Sequence, residues 1–185
     1  MKAVTEPARW IEATDGKDGV TTHCRLPSTV VVGLGNDLLR DDGVGLYVGR
    51  RLCEILDPDS FRVLELSVGG MEIVEKILGY RRAVVIDACC TGRRAPGALT
   101  RHRPEDFSNG LRLGSFHTMN FATALELARQ LGAEVPEKID VFVIEAEDVM
   151  TVAEGCTPAV AAAIEPSAQT IARLLEDEET VGAGD

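Results

Sequence analysis

Positive charge is scarce in this chain. Nineteen lysines and arginines face 30 acids, giving a formal net charge of −11. That balance argues against a nucleic-acid partner and fits a basic or neutral partner surface better. Also missing is any apolar run of membrane-spanning length, so no membrane association is expected. The opening stretch MKAVTEPARWIEATDG has no apolar h-region, so no secretory signal is expected either. CxxC pairs are absent. The five cysteines, Cys24, Cys53, Cys89, Cys90 and Cys156, are odd in number and irregular in spacing. This points to reduced thiols in a cytoplasmic protein, not to a disulfide frame or a zinc knuckle. There are no internal repeats, and neither GxSxG nor HExxH occurs.

What is present is an alternation of strand and helix signals. At 185 residues the chain is most simply one domain. Residues 1–28 lack sustained periodicity and read as a loose N-terminal extension; His23-Cys24 there is half a metal pair with no second half at ligand spacing. Val30 to Leu34 is a continuous apolar run, the mark of a strand buried on both faces. Val44, Val48, Leu52 and Ile55 recur at helical spacing and predict a helix over 44–56, ended by Asp57-Pro58. A strand around Phe61–Leu64 and a short helix from Met71 to Leu78 follow. Ala83–Ile86 is a buried strand ending at Asp87, and an edge strand is expected around Ala98–Thr100. A helix through Phe121, Leu125, Ala128 and Leu131 stops at Gly132. Val141–Ile144 is the last central strand, ending at Glu145. Thr157-Pro158 reads as an N-cap with proline at the first helical position, opening a helix to about Leu175 that bends at Pro166. From 176 to 185 the chain reads as an acidic, flexible tail. The pattern predicts an α/β three-layer sandwich in residues 29–175, a twisted, mostly parallel sheet flanked by helices.

Acids recur at the strand ends: Asp41 and Asp42 beyond the first strand, Asp87 at another, and Glu145 with Glu147 and Asp148 at the last. One such acid alone is more simply a helix cap or a solvated loop residue. In a parallel sheet, however, the carboxyl ends share one edge, and acids there can converge on a site. His117 stands where a helix begins, with Ser115 as candidate N-cap. The positive end of the helix dipole disfavours imidazolium, and neutral imidazole is the metal-binding form. Together with two carboxylates it would make a donor set suited to nickel or zinc.

Three rival readings compete for the same residues. Gly33-Leu34-Gly35 opens like a dinucleotide fingerprint, but Leu38 stands at the third glycine position and Asn36-Asp37 would crowd a pyrophosphate with negative charge, which weakens the case for a nucleotide-binding module. Cys89 or Cys90 paired with His117 would make a cysteine nucleophile, against the simpler reading of a small buried apolar residue. A metallopeptidase with its own resident metal is the third.

Gly33-Leu34-Gly35-Asn36, Asp41-Asp42-Gly43-Val44-Gly45, Ile86-Asp87-Ala88, Ser115-Phe116-His117, Ile144-Glu145-Ala146-Glu147-Asp148 and Gly155-Cys156-Thr157-Pro158-Ala159-Val160, in that order and spacing, resemble the maturation endopeptidases of nickel-iron hydrogenases. The resemblance spans roughly residues 29–175. It implies an endopeptidase, of aspartyl-peptidase character, that removes the C-terminal extension of a nickel-loaded hydrogenase large-subunit precursor in the cytoplasm. It also implies that Asp42, Asp87 and His117 are both the metal-contacting and the catalytic residues. Nickel would be carried by the precursor and not held tightly by the protease. The precursor is the expected partner, with no nucleic acid and no membrane, and a monomer is expected. One departure is visible: where the family often shows Asp-Gly-Gly after the second strand, this chain reads Ser67-Val68-Gly69-Gly70. Within the opening acid pair, Asp42 is expected to contact metal and Asp41 to order the loop through backbone hydrogen bonds.

Overall fold

The structure, a computed structural model, describes the backbone of residues 10–14, 21–25, 27–67, 69–108 and 116–182, and the side chains of 27–67, 69–107 and 121–178. Ser115 and Val68 lie outside the described residues, as do the side chains of His23, Cys24 and His117.

Two short strands, β1 (Trp10–Thr14) and β2 (Thr21–Arg25), pair antiparallel. The expected loose extension of residues 1–28 therefore contains a two-stranded antiparallel pair. The register runs from Trp10 opposite Arg25 to Thr14 opposite Thr21, and backbone pairing of this kind needs no apolar periodicity.

The main sheet is assembled from β3 (Thr29–Leu34), β4 (Phe61–Leu66), β5 (Arg82–Cys89), β6 (Leu99–His102) and β7 (Lys138–Glu145). Its order is β4-β3-β5-β7-β6, with the first four strands parallel and β6 antiparallel to β7. This is the expected α/β sandwich. Every residue of β3 and β5 is buried, because helices cover both faces of the sheet. On one face α1 (Val44–Ile55) and α5 (Pro158–Gly182) pack Val44, Val48, Leu52, Ile171 and Leu175 onto Val31, Val84, Ile86, Phe142 and Ile144. On the other, α2 (Met71–Ile77) and α4 (Phe116–Gln130) pack Ile73, Ile77, Phe121 and Leu125 onto Val30, Val32, Val85, Val141 and Val143. A short helix, α3 (Pro104–Ser108), precedes α4.

Helix α5 continues past Pro166. That ring sits on the exposed side of the helix, where water can take the carbonyl that proline leaves unbonded. The helix also runs beyond residue 175, so the expected flexible tail is helical as far as Gly182. Glu178 explains the extension: it pairs with Arg82 at 2.7 Å, with Arg101 at 3.1 Å and with Lys138. A like-charged tail that would fray alone is drawn against three cations of the sheet.

Sheet order fixes where chemistry can occur. The connection from β3 leads to β4 on one side, whereas β5 lies on the other. The carboxyl ends of β3 and β5 thus flank a topological switch point, where open α/β sheets form a crevice.

Candidate active site

The turn after β3 is built on close backbone approach. Gly35 has φ of +143°, and a Cβ there would stand 2.0 Å from the Asp42 carbonyl oxygen. A Cβ on Gly45 would stand 2.3 Å from the Leu34 carbonyl oxygen and 2.4 Å from that of Ile86. Helix α1 can therefore seat its first turn directly over the ends of β3 and β5. These glycines are required by contacts within the chain itself, which accounts for them without a phosphate ligand.

Asp41 and Asp42 sit in a 3-10 turn, Arg40–Gly43, just ahead of α1. Asp41 is fully buried. Its Oδ2 accepts hydrogen bonds from the Glu147 amide at 2.9 Å, the Asp148 amide at 3.0 Å and the Thr157 hydroxyl at 3.0 Å, while Oδ1 accepts from the Thr157 amide at 2.6 Å. The loop after β7 and the start of α5 are thereby tied to the β3 turn. A backbone bridge between Leu39 and Ala153 runs alongside, and Arg40, at φ 44°, donates its amide to the Ala153 carbonyl at 3.0 Å. The expected ordering role of Asp41 is what the structure contains.

Asp42 is only partly buried. Its Oδ2 accepts the Asn36 amide at 3.0 Å. Asn36 in turn shapes the turn, its Oδ1 accepting the Leu38 amide at 3.1 Å and its carbonyl the Leu39 amide at 3.0 Å. Sequence reasoning missed this role; the available signal was the Asn-Asp pair directly after Gly35, a common turn former. Asp87 is fully buried at the end of β5, with Oδ1 accepting the Ala88 amide at 2.9 Å.

His117 belongs to the first turn of α4. The carboxyl end of α4 leads into β7, and Glu134, just beyond the helix, accepts the Gly79 amide near the amino end of β5. The helix thus runs opposite to the parallel strands, and its first turn returns to their carboxyl-terminal edge. Asp87, in strand alternation with Val85 and Cys89, belongs to the sheet face covered by α4. Asp42, Asp87 and the backbone of His117 accordingly share one end of the sheet. Among the described residues there is no group of three or more His, Cys, Asp or Glu close enough to hold a metal.

The third set of acids does not join them. Glu145 is 2% exposed, and its carboxylate accepts the Thr91 amide and the Gly92 amide, both at 2.7 Å, along with the Thr91 hydroxyl. Burial alone would raise its pKa. The hydrogen bonds from Thr91, Gly92 and the Cys89 thiol outweigh burial and hold it below the usual glutamate value. Asp148 folds onto the amides of Met150 and Thr151, each at 3.0 Å, and Glu147 is exposed. Two of the cysteines, Cys89 and Cys156, are poor nucleophiles. Burial, with Glu145 beside it, pushes the Cys89 thiol up to about 12, and burial with Asp41 nearby pushes Cys156 up to about 11.

Clefts among the described residues flank the sheet. One, about 970 Å³, opens at the amino-terminal end of β7 and is lined by Arg103, Glu105, Arg129, Glu137 and Lys138. It lies at the far end from Asp42 and Asp87. Another, about 400 Å³, lies beside the carboxyl end of β5 and includes Cys89, Thr91, Thr100 and Glu145.

The chain has known relatives. The family model HycI, hydrogenase maturation protease, matches residues 46–174. The hydrogenase 2 maturation protease of Escherichia coli strain K12 is 29% identical over 157 residues, covering 80% of this chain and 90% of that protein. Among solved structures, the hydrogenase maturating endopeptidase HybD from E. coli superposes with a TM-score of 0.68 at 28% identity, covering 81% of this chain and 93% of that one. The nickel-iron hydrogenase maturation protease HybD from Thermococcus kodakarensis does so with a TM-score of 0.64 at 26% identity, covering 79% and 97%. With its α/β sandwich, its strand-end acids and this matched span, the chain belongs to the hydrogenase maturation protease family.

Proposed function

We propose that this chain is an endopeptidase that removes the C-terminal extension of a nickel-iron hydrogenase large-subunit precursor, and that it reads the nickel ion carried by that precursor. Membership of the family supports the reaction class. The observation that carries the site assignment is the position of Asp42 and Asp87 on either side of the switch point between β3 and β5, with the first turn of α4 at the same end.

In this reading the carboxylates of Asp42 and Asp87 and the imidazole of His117 contact the substrate-borne nickel. Two oxygens and one nitrogen leave coordination positions for the precursor's own ligands, so only a loaded precursor completes the set. The ion then holds the scissile peptide beside the carboxylates. Asp42 or Asp87 accepts a proton from the attacking water and returns it to the leaving amine. Asp41 does not take part in the chemistry; it keeps the Asp42 turn and the 147–157 loop in register. The enzyme acts as a monomer on its precursor, in the cytoplasm, where its thiols stay reduced.

The test is cleavage of nickel-loaded and nickel-free precursor by the purified chain. Only the loaded form should be cut; equal cleavage of both overturns recognition through nickel. Elemental analysis separates the resident-metal reading: the chain purified alone should hold well under one equivalent of nickel or zinc, and a full equivalent would favour a metallopeptidase.

A further inference from the structure

The 400 Å³ cleft beside β5 is lined in part by Arg93 and Arg94. Both are exposed, and among the described residues neither makes an ion pair. Arg50, Arg51, Arg82 and Arg101 each find a carboxylate; Arg93 and Arg94, like Arg62, Arg81, Arg103 and Arg173, do not among the described residues, and these two stand side by side on one cleft.

The loop that carries the two arginines is held at both ends by one residue. Glu145 binds its start through the amides of Thr91 and Gly92. It binds its end through main-chain bonds, the Gly97 amide donating to the Glu145 carbonyl at 2.7 Å and the Glu145 amide to the Ala98 carbonyl at 3.0 Å. Gly97 lies close against α5: a Cβ there would come within 2.9 Å of the Ala159 carbonyl oxygen and of the Ala163 side chain. The arginines are thus displayed from a fixed frame. The Glu145 carboxylate keeps its charge, but it is 2% exposed and turned onto the Thr91 and Gly92 amides, whereas Arg93 and Arg94 are exposed, so an incoming anion meets the guanidinium groups first.

Register relates this cleft to the candidate site. Asp87 pairs with Val143, and Val143 with Thr100. Thr100, in the cleft lining, therefore shares Asp87's row and face, two strands away, or about 10 Å at the usual spacing. A peptide held at Asp87 and running along the carboxyl edge of the sheet enters the cleft within a few residues. A cleft of this size admits a peptide end and excludes a folded subunit body.

We infer that this cleft is a binding subsite for the extension being removed, and that Arg93 and Arg94 take a carboxylate of that extension, from its C-terminus or an acidic side chain. The inference rests on the reading given under Proposed function. It makes Arg93 and Arg94 specificity residues for the leaving peptide, through charge-assisted hydrogen bonds that guanidinium forms well with carboxylate.

The test uses the full chain, its precursor, and a fluorescent synthetic peptide of the extension sequence. Arg93→Ala combined with Arg94→Ala should raise KM for the precursor and the peptide Kd about tenfold, with most of the loss in KM and not in kcat. Added salt should weaken peptide binding to the wild-type chain more than to this variant. The Lys/Lys double variant should recover part of the affinity. A peptide amidated at its C-terminus and one with its acids changed to amides identify which carboxylate is bound: weaker binding of either supports the subsite. Binding and KM within twofold of wild type for the double alanine variant would overturn it. Failure of the wild-type chain to cut any precursor is a different result, and overturns the proposed reaction itself.

Discussion

Asp41 and Thr157 are 116 positions apart in sequence, yet the Asp41 carboxylate accepts both the amide of Thr157, at 2.6 Å, and its hydroxyl, at 3.0 Å. This contact joins the turn after the first central strand to the start of the last helix. With the Glu147 and Asp148 amides added, one fully buried side chain satisfies four donors. Removing it strands those donors inside the protein. Asp41→Ala should destabilise the fold by about 2–4 kcal/mol, read by urea denaturation, and Asp41→Asn should lose part of that. A change below about 0.5 kcal/mol would contradict the anchoring role.

Asp42 should behave in the opposite way. It is partly exposed and accepts the Asn36 amide at the turn, so Asp42→Ala should cost only about 1 kcal/mol of stability. Precursor cleavage should fall by at least about 100-fold, the scale of a lost acid–base or positioning group. Measured together, the two neighbours should separate: Asp41 variants lose stability first, and Asp42 variants lose activity at nearly full stability.

Gly35 offers a test of the close approach. With φ of +143° and a Cβ that would fall 2.0 Å from the Asp42 carbonyl oxygen, Gly35→Ala must displace the turn. The expected cost is about 3 kcal/mol or more, together with loss of cleavage, because the turn carries Asp42. Thermal unfolding and the cleavage assay read both effects.

Glu145 gives the fold an acid-sensitive contact. Its native pKa lies below the ordinary value of 4.5, with burial outweighed by the bonds from Thr91, Gly92 and Cys89. A carboxylate with a depressed native pKa stabilises the fold above its unfolded pKa, and that contribution is lost as pH falls through the native value. Stability should therefore decline below about pH 4.5, and Glu145→Gln should flatten this limb of the profile while lowering stability at pH 7. The same pH profile with glutamine in place would show that other carboxylates control it.

The exposed thiols should be dispensable. Cys89, pushed up to about 12, should resist alkylation at pH 8 in the native state, whereas exposed Cys53 and Cys90 react. Cys90→Ala should keep precursor cleavage within about threefold, since that thiol contributes nothing to the proposed chemistry. Loss of cleavage on native-state alkylation of Cys90 would revive the cysteine-nucleophile reading.

Much of the frame is legible along the chain because it is local. The helix expected over 44–56 is Val44–Ile55 and the strand ending at Asp87 extends to Cys89, since apolar period and length fix such elements wherever they lie. The strand pair of 10–14 and 21–25 escaped notice because backbone pairing leaves no periodic trace. The helix beyond residue 175 escaped because its stabilising charges, Arg82, Arg101 and Lys138, are remote in sequence.

The acids mark the same boundary. The sequence alone determines that carboxylates follow three strands, that glycines bracket the first pair, and that a histidine opens a helix; these are properties of residue type and spacing. Only the tertiary structure decides what each acid does. Strand order puts the Asp42 turn and Asp87 on either side of one switch point. The fold also turns Glu145 away to hold the arginine loop and closes Asp41 over Thr157. The physical reason is that a carboxylate's role is set by the donors and charges that surround it, and in a parallel sheet those come from segments far apart in the chain.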